Sequence, residues 1–176
     1  MLACIDVDYR DNDTRASVAC LLFDSWSASE PTDVVQTIVT DVAPYVPGQF
    51  YRRELPCLLA VLAQAPALPK LIIVDGYVWL GVPQKMGLGA YLHEALEQKT
   101  TIVGVAKNPF VDSGAVPVLR GDSSKPLYVT AEGMSAQQAA THVQQMHGDF
   151  RFPTLLKLVD QLARTYVVGD DPLSAT

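Results

Sequence analysis

Apolar and polar positions along the chain fall into short runs of two different periods. Residues 2–9, LACIDVDY, alternate as a strand does, which places Asp6 and Asp8 on one face. After the turn DNDT, residues 15–23, RASVACLLF, and 34–42, VVQTIVTDV, are two more β-rich runs, separated by the polar DSWSASEPTD. Three consecutive strands predict an antiparallel meander. Beyond Pro44-Tyr45-Val46-Pro47-Gly48 the period changes, and Leu58, Leu59, Leu62 and Ala63 form the apolar stripe of a helix. Pro56 is tolerated there only in the first turn, which sets Glu54 at the helix entrance. Residues 70–75, KLIIVD, read as a buried strand that ends on Asp75, with Gly76 marking the exit. Leu88, Tyr91, Leu92, Ala95 and Leu96 recur at helical spacing. A further buried strand, 101–106, TIVGVA, runs into Lys107, and 116–120 with 126–130 predict a hairpin across GDSS. Ser135 followed by Gln138 is a capping-box pattern for a helix that Gly148 closes, and Leu155, Leu158, Val159 and Leu162 line a last amphipathic helix. The tail at 169–176, GDDPLSAT, is expected to be disordered, which leaves a single domain over 1–168.

This order predicts an α/β fold: a mixed β-sheet flanked by α-helices, closer to a ribonuclease H-like arrangement than to a dinucleotide fold. Neither common phosphate-binding glycine loop is present. GLGAYL at 87–92 comes nearest, but it does not directly follow a strand.

With 176 residues and 49% hydrophobic content, the chain can bury one sizeable core. No stretch approaches the roughly 20 apolar residues of a membrane helix, and the start, MLACIDVDYR, lacks a basic region followed by an apolar run. A soluble, cytoplasmic protein is expected. Cys4, Cys20 and Cys57 are odd in number, far apart and embedded in apolar sequence, the pattern of reduced core thiols. The formal charge of −6 argues against a surface that is a nucleic-acid platform throughout. It is compatible with a local acidic pocket in which magnesium screens phosphate from carboxylates.

Three carboxylates occupy places from which a sheet could collect them: Asp6 in the first strand, Glu54 at the first helix and Asp75 at the end of the fourth strand. If the first and fourth strands are parallel neighbours, Asp6 and Asp75 approach each other and repel unless a proton or cation intervenes. Magnesium prefers oxygen ligands and keeps several waters, which suits such an open cluster, and Lys107 could stabilise charge on a phosphate. The same residues also admit plain readings. Aspartate before glycine is ordinary turn chemistry, a glutamate at a helix start complements the dipole, and Lys107 can be a strand-end lysine. Asp8 reads as a solvated edge charge. His93, His142 and His147 lack partners at metal spacing and suit solvent or cap roles.

Six segments in order resemble the endonuclease V family: IDVDY at 5–9, PYVPG at 44–48 with YRRELP at 51–56, LIIVDG at 71–76, GVAK at 104–107, KPLYVT at 125–130 and HGDFRFPTLLKLVDQLA at 147–163. The resemblance implies a ribonuclease H-like, Mg2+-dependent endonuclease, with Mn2+ as a substitute ion, that cuts one strand of DNA or RNA near inosine. It implies Asp6, Glu54 and Asp75 as metal-binding carboxylates and Lys107 as their assistant at phosphate. Tyr45 would be a wedge between Pro44 and Pro47, filling the gap left by a rotated base, with Gly48 and Gly76 also at the substrate.

The pattern departs from the family in places. After Asp75-Gly76 the family has a second glycine and a His-Pro-Arg-Arg-Phe-Gly run, where this chain carries Tyr77 to Gly87 without the histidine or arginines. Val78 puts bulk where a glycine would admit a flipped base. Met134, after Gly133, stands where a family histidine is expected, and methionine cannot replace imidazole on a hard cation. The chain starts at the first strand without a preceding helical segment, and the stretch between Lys107 and Val116 is short. The alternative expectation is therefore a catalytically impaired family member acting as a nucleic-acid- or protein-binding module.

Overall fold

A computed structural model of the chain describes residues 1–10, 14–81 and 83–165. In chain order the elements are β1 (Leu2–Arg10), β2 (Arg15–Phe23), β3 (Asp33–Thr40), α1 (Tyr51–Leu62), β4 (Leu71–Asp75), β5 (Trp79–Leu80), β6 (Lys85–Met86), α2 (Leu88–Ala95), β7 (Thr101–Ala106), β8 (Val116–Val118), β9 (Leu127–Glu132), α3 (Ala136–Gln145) and α4 (Thr154–Thr165).

The meander is present: β1 pairs antiparallel with β2, and β2 with β3. On its other edge β1 runs parallel to β4, and β4 parallel to β7. β9 returns antiparallel to β7 and carries β8 as the predicted hairpin partner. The sheet thus has seven strands in the order β3-β2-β1-β4-β7-β9-β8. Its central strands β4 and β7 are covered on both faces, which is why they read as unbroken apolar runs.

Alternation along the strands sorts the core into two clusters. Cys4, Leu21, Ile73, Val103 and Val105 face α3 and α4, where they meet Val143, Leu155 and Val159. Ile5, Cys20, Leu22, Ile72, Val74 and Ile102 face α1 and α2, where they meet Cys57, Leu58, Val61 and Leu92. All three cysteines are buried and free, as their apolar settings predict.

Three local features differ from the sequence reading or go beyond it. Pro56 lies inside α1, beyond the first turn, where the helix forgoes the N–H that the Arg52 carbonyl would have accepted. A two-stranded ribbon of β5 and β6 follows β4, each strand too short to display a period. The chain leaving Asp75 also crosses closely over β7. A Cβ on Gly104 would stand 2.5 Å from the Gly76 carbonyl oxygen and 2.9 Å from the Val78 nitrogen, so only glycine fits there. The Val78 N–H donates to Thr130 Oγ1 at 2.9 Å, fixing that crossing to the sheet. The expected tail lies outside the described residues. Among the described residues no helix is long and apolar enough to cross a membrane.

Candidate active site

The parallel register of β1 and β4 ends at Ile5 opposite Val74, so Asp6 and Asp75 stand side by side one residue beyond. Asp75 is in turn level with Val105, two residues before Lys107. Period two puts Asp6, Asp75 and Lys107 on the face of Cys4, Ile73 and Val105, the face that α4 covers. The repulsion that the sequence predicts between the two aspartates is therefore built in. Lys107 Nζ donates to Asp75 Oδ2 at 2.7 Å and lies 4.0 Å from Asp160 Oδ1.

Glu54 comes from the opposite side, in the first turn of α1. It is only 6% exposed, and among the described residues its Oε2 is buried without a hydrogen-bond partner. Burial first, then the charges of Asp6 and Asp75, push its carboxyl up to about 8. Burial also leads at Asp6, which is raised to about 7 with help from Asp75 and Asp160. Burial pulls Lys107 down, but the hydrogen bond and charge of Asp75, with Asp6 and Asp160, hold it above its ordinary value. These carboxylates share one electrostatic site that is short of positive charge.

Asp160 is the member that sequence reasoning missed. It sits on α4 one turn before Arg164, whose Nε and Nη2 both donate to it at 2.9 Å. In sequence it is an unremarkable i,i+4 ion pair on an amphipathic helix, and only the packing of α4 on β1 brings it to the cluster.

Met134 is not at the site. β9 is antiparallel to β7 with Glu132 opposite Ile102, so Met134 lies past the start of β7, at the other end of the sheet from Lys107. It packs against the core, and a Cβ on Gly133 beside it would meet Thr101 Oγ1 at 2.8 Å. Val78 is likewise fully buried, in the cluster facing α1 and α2, and does not line the carboxylate pocket. Trp79 and Met86 pair across the ribbon and pack against the same cluster. The histidines take local roles: His93 Nδ1 bonds the Thr100 carbonyl, His147 Nδ1 bonds Thr154 Oγ1, and His142 stacks on Trp26.

The proline loop before α1 presents Tyr45 57% exposed. Tyr45 meets Phe50 edge to face, Phe50 meets Tyr9 the same way, and the Arg53 guanidinium lies 3.7 Å over the Tyr9 ring. This aromatic chain ties the loop to β1 three residues beyond Asp6. Gly48 holds a φ of +77°, the left-handed turn that brings the chain round into α1.

Among the described residues no three His, Cys, Asp or Glu side chains converge as a ready ligand set, and Asp75 is paired with Lys107. The donor chemistry nevertheless suits a hard cation. Carboxylate oxygens cluster, one buried oxygen on Glu54 lacks a partner, and two carboxyls carry raised proton affinity that a cation would relieve.

A mixed sheet of this order, with Asp75 ending β4 and Asp6 beside it within β1, is a ribonuclease H-like fold. The Endonuclease V family model matches residues 1–161, and the chain belongs to that family. It is 30% identical to the endonuclease V of Streptomyces avermitilis over 91% of this chain and 77% of the relative. The crystal structure of endonuclease V from the same organism matches with a TM-score of 0.74 at 28% identity, covering 93% of this chain and 79% of that one. A Ciona intestinalis endonuclease V, crystallised with a 24mer DNA containing an inosine followed by a ribo-adenosine, shares the fold at a TM-score of 0.72 and 20% identity, covering 93% and 84%.

Proposed function

We propose that this chain is a metal-dependent endonuclease that hydrolyses a phosphodiester bond in DNA or RNA near inosine. The observation that supports this reading is the pocket lined by Asp6, Asp75 and Asp160 together with Lys107, with Glu54 in the same electrostatic field and keeping a buried, unpartnered oxygen.

Asp6, Glu54 and Asp75 would hold Mg2+, or Mn2+ in its place. The ion would neutralise phosphate oxygens and make bound water a better nucleophile. The remaining chemistry belongs to the chain. Lys107, already charged and held by Asp75, offers an ammonium to a phosphate oxygen, which stabilises charge that grows during cleavage. The paired carboxylates exclude a bare phosphate, so binding and charge neutralisation are coupled. Tyr45, stiffened by Pro44 and Pro47, offers an exposed ring to the gap left by a displaced base, while Gly48 and Gly76 allow backbone to approach the strand.

The test is cleavage of inosine-containing and unmodified strands, single and double, DNA and RNA, in Mg2+, Mn2+ and EDTA. We expect one cut near inosine in either ion, none in EDTA, and a loss of at least about 100-fold in Asp75→Ala. Cleavage retained in that variant overturns the site. A chain that binds strands but cuts none is the non-catalytic binding module.

A further inference from the structure

The pocket beside the carboxylates is larger and more apolar than a phosphodiester requires. It encloses about 550 Å3 between the sheet and α4, with walls from Ile73, Val105, Phe152, Leu156 and Val159. That volume lies in the roughly 300–1,000 Å3 range of small-molecule sites. Asp6, Asp75 and Asp160 form its polar side, so the space is continuous with the proposed cleavage site. Phe150 stands at its mouth, 72% exposed, on a backbone that is held fast. The Arg120 guanidinium donates to the carbonyls of Phe150 at 2.9 Å, Gly148 at 2.9 Å and Gln144 at 3.3 Å, as well as to that of Met146. A large aromatic ring kept in solvent by such an anchor is placed to receive something.

The cations around the pocket show what that is. Lys107 pairs with Asp75 and serves the bond to be cut, Arg164 pairs with Asp160, and Arg151 donates to the carbonyls of Lys107 and Pro126. Lys157 makes no ion pair among the described residues, and its Nζ lies 5.7 Å from the Phe150 ring centroid. An exposed ring with an unpaired ammonium over one face is complementary to a nucleotide, the base on the ring's other face and a phosphate on the ammonium.

We infer that this pocket holds the base of an unpaired nucleotide adjoining the bond to be cut, stacked on Phe150, with a phosphate of that nucleotide on Lys157. The inference rests on the nuclease reading of the neighbouring carboxylates. It places this base on the α4 face of the sheet, whereas the Tyr45 loop enters α1, which packs on the opposite face. Two bases of one strand would then be gripped on two sides of the site. A base can enter such a pocket only by leaving its pair and stack, so single strands are favoured over duplex.

The experiment titrates the full chain in Ca2+, which oxygen ligands also accept, with inosine-containing single strands, each carrying one abasic nucleotide moved stepwise along the sequence. We expect one abasic position beyond the inosine to weaken binding about tenfold. Phe150→Ala should weaken binding of the intact strand by a similar factor and show no further loss at that position, and Phe150→Tyr should restore both. Because the side chain is exposed, the melting temperature should not move. The inference is overturned if wild type and Phe150→Ala give the same abasic profile, or if no strand binds. Cleavage is scored separately in Mg2+ and Mn2+. A Phe150-dependent profile without cutting keeps the subsite and removes the nuclease, while cutting with a Phe150-independent profile does the reverse.

Discussion

Glu54→Gln should make the metal-free protein more stable at alkaline pH while abolishing its cleavage. The carboxyl is buried, one oxygen is unpartnered, and its pKa is raised from 4.5 to about 8, by burial first and then by Asp6 and Asp75. At about 1.4 kcal/mol per tenfold change in proton affinity, the ionised form carries a penalty of about 5 kcal/mol at pH 9. The sign follows from the raised value. This carboxyl's stability contribution is fully present below about 4.5 and is lost as pH rises through about 8. Glutamine mimics the protonated acid, so the variant escapes the loss. Since a domain of this size gains about 2–4 °C per kcal/mol, the variant should melt about 10 °C or more above wild type at pH 9 in EDTA, and level with it near pH 4. Mg2+ at pH 9 should close the gap by raising wild type alone, because an ion offsets the buried charge that glutamine lacks. Thermal melts across pH, with and without the ion, check this. Equal melting temperatures at pH 9, or a shift of the same size at both ends of the range, would refute the electrostatic account of the site.

Two further substitutions probe the surroundings. Tyr45→Ala should leave the melting temperature within about 2 °C, since the ring is 57% exposed, while cleavage near inosine falls about 10- to 100-fold and cleavage of unmodified strand stays level. An equal fall on both substrates would remove the wedge role. Arg120→Met should cost about 3 kcal/mol in urea unfolding, because the carbonyls of Gln144, Met146, Gly148 and Phe150 lose a charged donor at once. A cost below about 1 kcal/mol would mean that the loop before α4 holds itself.

Much of this architecture was legible because it follows from local periodicity. The alternation of LACIDVDY fixes which β1 side chains share a face, and the apolar run into Asp75 marks a strand covered on both sides. The capping box at Ser135 is realised with both of its hydrogen bonds. Pro56 was misplaced because α1 tolerates a proline where its packed face supplies more stability than one lost hydrogen bond removes. Met134 stands where the resemblance expects a histidine, and the antiparallel return of β9 carries that position to the far end of the sheet, which order along the chain does not show.

The sequence by itself determined the longer strands and the helices, the two-sided burial of β4 and β7, and the chemistry available at Asp6, Glu54, Asp75 and Lys107. These depend on side-chain type and spacing within single elements. Tertiary structure decided the strand order, the arrival of Asp160 through α4, the burial of Val78 and the apolar pocket faced by Phe150 and Lys157. Each of these depends on contacts between residues far apart in the chain, which no local period encodes.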